Sequence, residues 1–283
     1  MEALASGYGL IEGPVWDPAR GLLFSDVIFG GVYCLSPDGA VTNVFPHRRG
    51  IGGMAPHADA GLVLSGRNVA YKAFAGGDTV PLLEGDAAPG ILGFNDMTTD
   101  AAGRIYVGSL KFRATDPDDA PKPGHLHLID LDGTSRILAD GIMLTNGLGF
   151  SPDGQALYHA DSRSGALWRY EVAADGGVGP RRVFAPVEDG IPDGLAVSED
   201  GAVWVAMAHG GRVTVFEADG SVRRQIPVPL PMVTSVCFGG DALSDLYIVT
   251  GSVGAEGDKA GTVYRIAAEV PGLPVAPARV PLP

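Results

Sequence analysis

TNGLGFSPDGQALYHADS, at residues 145–162, follows the same pattern as IPDGLAVSEDGAVWVAMA, at residues 191–208. In each stretch a polar residue precedes Gly, apolar residues alternate, the chain turns at an acidic residue and Gly, and a second apolar run follows. Asn146 and Asp193 occupy the same place in the two copies. Asn-Gly and Asp-Gly are common turn formers, so either copy alone predicts a turn and no more.

The pattern recurs along the chain in six copies, whose turns lie about 40 to 51 residues apart. A third strand-like run, such as GHLHLIDLDG or GRVTVFEADG, follows the hairpins and stops at Asp-Gly. Such repeats of three or four antiparallel strands predict an all-β fold, a six-bladed β-propeller. A β-sandwich or a β-helix fits less well, because a β-helix has a much shorter repeat and a sandwich has no reason to repeat at this period. The turns lie at Gly21, Gly61, Gly103, Gly154, Gly201 and, in the looser sixth copy, near Ser244–Asp245.

The repeats place nearly the whole chain in one domain. We predict a single propeller over residues 1–283, with blades starting near residues 12, 53, 95, 146, 193 and 234. The segment before Glu12 is expected to complete the last blade and so close the ring. The Pro-rich tail at residues 270–283 is expected to lie outside the blades, since Pro cannot donate a ladder hydrogen bond.

Composition and charge limit the partners of the protein. The chain has 42 Gly, 22 Pro and a formal net charge of −13, so phosphate backbones and anionic lipid surfaces are repelled. We therefore expect a small-molecule substrate, no nucleic acid and no membrane, and a monomer or weak homodimer. No signal peptide and no apolar run long enough to cross a bilayer is found, which favours the cytoplasm. Cys34 and Cys237 are too few for a disulfide framework and are expected to be free thiols.

The register of the repeats raises a stronger possibility for the polar residues that precede the glycines. In a propeller the first strand of each blade lines the central channel, so equivalent positions lie at one height. Hard oxygen ligands with a net charge of −2 would then converge, which predicts a divalent cation site; a water-filled polar channel is the alternative. Turn propensity does not explain the set, because Glu is a poor turn former and Asp96 could serve the turn as well as Asn95. The equivalent positions are Glu12, Gly53, Asn95, Asn146, Asp193 and either Thr234 or Ser235.

The motifs EGPVW, FNDM followed by GRIYVGS, TNGLGFSPDG, PDGLAVSEDG and VTSVCFGG resemble the blade motifs of the regucalcin (senescence marker protein), gluconolactonase and luciferin-regenerating-enzyme family. The resemblance covers roughly residues 8–267. It implies a propeller with one divalent metal cation, which could be Ca, Mg, Mn, Zn or Fe(II). By the same resemblance, Glu12, Asn146 and Asp193 are direct metal ligands, and Asn95 helps to hold the metal or its bound water and substrate.

One position departs from the family pattern. Sugar lactonases of the family commonly carry a substrate-binding Arg two residues before the equivalent of Asn95, where this chain has Gly93. Lys111 or Arg113, in the loop after the GSL motif at residues 108–110, could supply a positive group instead. The departure leaves the substrate open without affecting the predicted metal site.

The predicted reaction is metal-assisted hydrolysis of a lactone, in a gluconolactonase-like enzyme. The cation would polarise the carbonyl, with Asp193 as ligand and base and Asn95 as a second catalytic residue. His209 follows the inner hairpin of the fifth blade and could contact the substrate, and Asp161 could support the site or cap a turn. His125 and His127 lie in a third strand, where an ordinary strand face is expected. An organophosphate or ester hydrolase on the same site, and a non-catalytic propeller that binds a metal, a ligand or a partner, are the alternatives.

Overall fold

The computed structural model describes residues 1–116 and 118–282, which form six four-stranded antiparallel sheets. The predicted six-bladed β-propeller is therefore confirmed. The only helical segments in the described part of the chain are two three-residue 3₁₀ turns, at Ser162–Ser164 and Asp241–Leu243. No helix among these residues is long and apolar enough to cross a membrane.

In blades 1 to 5 the strands follow the chain from the channel outward, and blade 6 takes its outermost strand from the N-terminus. Blades 1 to 3 contain β2 (Ile11–Asp17), β3 (Gly21–Asp26), β4 (Val32–Leu35), β5 (Val41–Asn43), β6 (Met54–His57), β7 (Gly61–Leu64), β8 (Val69–Ala73), β9 (Val80–Leu83), β10 (Gly93–Thr99), β11 (Ile105–Leu110), β12 (Gly124–Ile129) and β13 (Ser135–Ile142). Blades 4 to 6 contain β14 (Thr145–Phe150), β15 (Ala156–Asp161), β16 (Ala166–Glu171), β17 (Arg182–Ala185), β18 (Ile191–Val197), β19 (Val203–Ala208), β20 (Arg212–Phe216), β21 (Val222–Pro227), β22 (Val233–Gly239), β23 (Asp245–Thr250) and β24 (Gly261–Ala267).

The N-terminal strand β1 (Glu2–Tyr8) closes the ring, as predicted. It pairs antiparallel with β24, so that the outermost strand of blade 6 comes from the opposite end of the chain. An ion pair of 2.7 Å between Arg265 and Glu2 joins the two strands at the surface. Closure removes the open edge that a linear array of sheets would expose.

Apolar faces of neighbouring blades pack against each other to form the core. Trp204 and Val213 of blade 5, for example, share one buried cluster with Val236 and Ile248 of blade 6. Successive side chains of a strand point to opposite faces, so a blade between two neighbours is apolar on both faces. The β19 strand, VWVAMA, is accordingly buried along its whole length.

The hairpin between the first and second strands of each blade lies at the end of the channel that we call the far end; the opposite end, where the first strands begin, is the mouth. Gly154 at one such turn has φ 68°, a left-handed conformation that Gly adopts without steric cost. In the second copy of the repeat, Ala60 takes the left-handed position with φ 55°, one residue before Gly61.

The C-terminal tail crosses the far end of the channel as a strap, which we define as residues 271–280. Its first part is bound to blade 5, where the backbone N–H of Leu273 donates to the carbonyl of Val197 at 2.9 Å. Its last part is bound to blade 2, where the N–H of Ala278 donates to the carbonyl of Pro56 at 2.7 Å. The strap belongs to none of the six sheets, yet it connects blades on opposite sides of the ring.

Candidate active site at the channel mouth

The predicted metal-ligand positions lie near the start of the innermost strands, where the pairing with the second strand is irregular. A β-bulge sets two residues against one and changes the direction of their side chains. Blade 2 has no such irregularity, and its equivalent position is Gly53, which has no side chain to offer. The irregular segments are Glu12 to Val15 in β2, Phe94 to Met97 in β10, Thr145 to Leu148 in β14, Pro192 to Leu195 in β18 and Val233 to Ser235 in β22.

The two predicted amide residues contact each other across blades 3 and 4. The Asn95 Nδ2 atom donates to Asn146 Oδ1 at 2.7 Å and to the carbonyl of Thr145 at 2.8 Å. The Asn95 Oδ1 atom would lie only 2.0 Å from a Cβ atom at position 52, so blade 2 accommodates this amide because residue 52 is Gly. The orientation of Asn95 is therefore determined by the backbone at Thr145 and Gly52 and by the side chain of Asn146.

A hydroxyl group behind Asn146 extends this contact to blade 5. Asn146 Nδ2 donates to Ser162 Oγ at 2.6 Å, and Ser162 Oγ donates to the carbonyl of Pro192 at 2.6 Å. The bonds orient the Asn146 amide so that its Oδ1 atom faces Asn95, and they tie the start of β18, just before Asp193, to blade 4. Ser162 was not predicted as a site residue; its position directly after Asp161, at the end of the second strand, was the available signal.

Three carboxylates share the channel near these amides. Burial, followed by the charges of Asp193 and Asp96, raises the pKa of Glu12 well above its ordinary value. Burial, followed by the charge of Asp96, raises the pKa of Asp193 in the same way, and burial raises the pKa of Asp96 to about 7. The described Lys and Arg residues form no ion pair with any of the three carboxylates.

The charge of these carboxylates is consistent with a site for a cation. Asp193 is only 4% exposed, and its Oδ1 atom has no hydrogen-bond partner among the described residues. A buried carboxylate oxygen without a partner is costly unless a proton or a cation compensates it. Within residues 1–116 and 118–282, no group of three or more His, Cys, Asp or Glu side chains is arranged to hold a metal, so any such site combines carboxylates with the amides of Asn95 and Asn146.

Asp96 is the acid that the sequence reading missed. It follows Asn95 in the bulge of β10, and it lines the cavity below the mouth together with Gly13, Pro14 and Ser235. Simple alternation would direct Asn95 and Asp96 to opposite faces of the strand. The bulge breaks that alternation, and a bulge leaves little trace in one sequence.

The sixth blade resolves the choice between Thr234 and Ser235. Thr234 Oγ1 donates to the carbonyl groups of Ile11 and Val249, at 2.5 and 3.2 Å, and so supports the contact between blades 6 and 1. Ser235 instead lines the channel. Its Oγ atom would lie 1.9 Å from a Cβ atom at position 194, which only Gly leaves free.

Asp161 acts as a loop anchor close to the site. Its carboxylate accepts the backbone N–H groups of Met143 and Leu144, at 3.2 and 2.8 Å, just before Asn146. Asp26 has the same place in blade 1, where it accepts the N–H of Gly9 at 2.9 Å. These buried acids hold the loops that lead into the channel-lining strands.

The proposed substrate-binding residues lie outside this hydrogen-bonded group. The Arg113 side chain is 71% exposed and pairs with Asp119 at 3.8 Å, and Lys111 is half-buried at the end of β11. His209 is exposed in a left-handed turn with φ 60°, directly after the end of β19 that pairs with the start of β18. No hydrogen bond or ion pair between described residues joins any of the three to the predicted ligands.

The His pair of the third blade lies in β12, the third strand of the blade, and not in the strand that lines the channel. His125 Nδ1 lies 2.8 Å from Asp140 Oδ1, and His127 Nε2 lies 3.0 Å from Ser109 Oγ. Burial, followed by the neighbouring His125 and Lys111, lowers the pKa of His127 to about 4. The ordinary strand-face interpretation of the pair agrees with these local contacts.

The neighbouring loop excludes a side chain at position 93. A Cβ atom there would lie 2.7 Å from the carbonyl oxygen of Gly66, which accepts the N–H of Phe94 at 2.7 Å. Blades 2 and 3 are in backbone contact at Gly93, and a larger residue there would displace this contact. The chain therefore cannot carry the Arg of the family at position 93 without a change in that contact.

A cavity of about 910 Å³ extends from Asp96 to the far end of the channel. Its walls near Asp96 include Leu148 and Leu195, and the strap contributes Leu273 and other residues at the far end. Below Asp96 the walls of the channel are thus partly apolar.

These features define a six-bladed β-propeller that gathers carboxylates and amides at the mouth of its channel. Residues 10–252 match the family model described as the SMP-30/Gluconolactonase/LRE-like region. The chain belongs to this family, which confirms the resemblance seen in the blade motifs.

Two curated relatives of the chain are named as lactonases. The 6-deoxy-6-sulfogluconolactonase of Pseudomonas putida is 32% identical over 274 residues, which cover 92% of each protein. The pentonolactonase XacC of Haloferax volcanii is 30% identical over 277 residues, which cover 93% of this chain and 92% of that one. The crystal structure of regucalcin from Agrobacterium tumefaciens, described as a calcium-binding protein, is 23% identical with a TM-score of 0.85, and the likeness covers 98% of this chain and 96% of that one. The last likeness shows a shared fold.

Proposed function

We propose that the protein is a metal-dependent lactonase that opens the ring of a small-molecule lactone. The observation that carries the proposal is the buried Asp193 carboxylate, whose Oδ1 atom has no partner among the described residues and which lies in a channel with further uncompensated acids. Membership of a family with named lactonases supports the reaction class. Metal dependence is supported by the donor set alone.

The residues at the mouth fit a hard divalent cation. Glu12 and Asp193 would supply carboxylate oxygens, and Asn146 and Asn95 would supply amide oxygens, which suit Ca²⁺, Mg²⁺ or Mn²⁺. Asn146 Oδ1 accepts one hydrogen bond from Asn95 and keeps a second lone pair for a ligand. When bound, such a cation would polarise the lactone carbonyl and stabilise the negative charge that forms on its oxygen.

Asp193 is the residue we assign to proton transfer. Positive charge at the site lowers the pKa of its carboxyl group, so the group is ionised. In this form it can accept a proton from water. The water oxygen adds to the carbonyl carbon, and its proton passes to Asp193. The same proton then protonates the ring oxygen as the carbon–oxygen bond breaks, which leaves a hydroxy acid and the regenerated carboxylate.

Asn95 and Asn146 contribute orientation in this scheme. Their amides are held by bonds to Thr145, to Ser162 and to each other, so they present polar groups to the substrate without rearranging. Such prior orientation lowers the entropic cost of bringing water and carbonyl together. Gly93 removes the positive group that sugar lactonases of the family commonly place two residues before Asn95, so the substrate panel should extend beyond sugar lactones.

The test uses the full-length protein, stripped with a chelator and reloaded with one cation at a time. Ca²⁺ stands first in the series, because the regucalcin structure is described as that of a calcium-binding protein. Proton release on a pentonolactone, a gluconolactone, an alkyl lactone, an aryl ester and an organophosphate reports which bond is cleaved. We expect lactone opening only in the reloaded protein, and full activity of the stripped protein would contradict the cation requirement.

The Asp193→Ala variant tests the residue assignment. It should lose both cation binding and lactone opening, because it lacks the ligand and the base together. Asp189→Asn is the control variant in the loop that leads into β18, since the Asp189 side chain is 89% exposed. Near wild-type binding or turnover in Asp193→Ala would rule out the assigned role.

A further inference from the structure

We propose that Asp96 sets the charge preference of the cation site: its carboxylate acts through space, as a third negative charge that favours highly charged cations over less charged ones. The inference rests on the cation site of the proposed function and adds a residue to it. We assign to Asp96 a role in cation affinity and no catalytic role.

The bulge in β10 is the first observation. In the bulge, Asn95 and Asp96 together lie opposite the single residue Gly108 of β11. Asp96 thereby becomes part of the channel wall. The residue after the aligned polar position in blades 1, 4 and 5 is Gly. Only blade 3 therefore adds a charge at this place among the bulged copies.

The neighbouring blade leaves room for this carboxylate. A Cβ atom at position 53 would lie 2.7 Å from Asp96 Cα and 2.8 Å from Asp96 Oδ1. Gly53 is the position that contributes no ligand to the predicted ring, so its lack of a side chain has a structural role. Gly53 of blade 2 therefore provides no ligand, but it leaves room for the Asp96 carboxylate of blade 3.

The hydrogen bonding of the Asp96 side chain does not require a negative charge. Its only hydrogen bond within the described chain is to the N–H of the next residue, Met97, at 2.8 Å. An Asn side chain can accept that bond equally well through its own Oδ1 atom. The exchange Asp96→Asn therefore keeps the shape and the hydrogen bond and removes only the charge.

The backbone beside Glu12 also lies against this group. A Cβ atom at position 13 would lie 3.1 Å from the Cα atom of Gly53, the residue that accommodates Asp96. The pKa values of Glu12 and Asp193, which are raised first by burial and then in part by the charge of Asp96, agree with this arrangement. The unpartnered Oδ1 atom of Asp193 independently indicates an uncompensated oxygen at the same mouth. A cation bound there would interact with the charge of Asp96 through the channel, where burial weakens screening by water and salt.

The experiment compares two ions of similar size and different charge, Ca²⁺ and Tb³⁺. Chelator-stripped full-length protein is titrated with each ion, by calorimetry for Ca²⁺ and by sensitised luminescence for Tb³⁺, at pH 8. Wild type, Asp96→Asn and Asp132→Asn are compared. Asp132 lies in an exposed turn of the same blade, so its variant controls for the change in net charge.

We expect Asp96→Asn to raise the Kd for Ca²⁺ about tenfold and the Kd for Tb³⁺ about thirtyfold, because a Coulomb energy scales with the charge of the ion. Asp132→Asn should leave both Kd values within about twofold. Loss of Ca²⁺ and Tb³⁺ affinity by the same factor would reveal a merely structural effect and overturn the inference, as would unchanged affinities.

The same proteins separate this inference from the proposed function. A wild type that binds both ions but opens no lactone contradicts the proposed function and leaves the role of Asp96 intact. A wild type that opens lactones with Ca²⁺, together with an Asp96→Asn variant of unchanged ion preference, contradicts only the role of Asp96. A wild type that binds neither ion overturns the inference together with the cation requirement.

Discussion

Asp96 should contribute to the pH dependence of the stability of the cation-free protein, and Asp96→Asn should remove that contribution. Burial raises the pKa of Asp96 from 3.8 to about 7 in the folded protein. The folded state therefore binds a proton that the unfolded state releases between these two values. The resulting stabilisation is complete below pH 3.8 and is lost as the pH rises to about 7.

The size of the effect follows from the width of this window. Each pH unit between the two pKa values changes the free energy of unfolding by about 1.4 kcal/mol for one group. Between pH 5 and pH 8 the wild type should therefore lose up to about 3 kcal/mol relative to Asp96→Asn, because only about two of those units lie below the folded pKa. Water and salt in the channel reduce this value, so it is an upper figure.

Urea denaturation in the presence of a chelator measures the difference directly. Wild type and Asp96→Asn are unfolded at pH 5, 6, 7 and 8, and the difference between their free energies of unfolding is plotted against pH. Asp132→Asn serves as the control, because the pKa of that exposed carboxyl is lowered mainly by its hydrogen bonds to Thr134. A difference that stays flat from pH 5 to pH 8, or that changes in favour of the wild type, would refute the reasoning.

Three further changes test other parts of the structure. Ala278→Asp places a charge on a fully buried strap residue and should lower the free energy of unfolding in urea by about 3 kcal/mol or more; Val275→Asp, at a strap residue that is 51% exposed, should change it by less than about 0.5 kcal/mol. Ser162→Ala leaves a buried Asn146 amide without its acceptor and should cost about 1–3 kcal/mol of stability, together with a weaker Kd for the cation; an unchanged Kd would show that Ser162 does not orient the amide. Gly93→Ala places a methyl group 2.7 Å from a backbone oxygen and should lower the melting temperature, and an unaltered melting temperature would contradict the close contact between blades 2 and 3.

The architecture, and the alignment of the candidate site residues, follow from the repeats in the sequence. Each copy of the repeat carries its own strand alternation and acidic turn, and both are local properties of the chain. A channel-lining strand then places aligned residues at one height, because the blades are equivalent by repetition. Glu12, Asn95, Asn146 and Asp193 could be aligned in this way from spacing alone, and the contact between Asn95 and Asn146 agrees with that alignment.

The additional groups at the mouth depend on how the blades pack against each other. Asp96 enters the channel through a bulge, and Gly93 has no room for a side chain because a loop of the neighbouring blade lies against it. The strap joins residues near the C-terminus to blades 2 and 5 through backbone hydrogen bonds, which carry no signature in side-chain spacing. Bulges, backbone contacts and amide orientation arise when separate blades pack together, so no single repeat contains the information that specifies them.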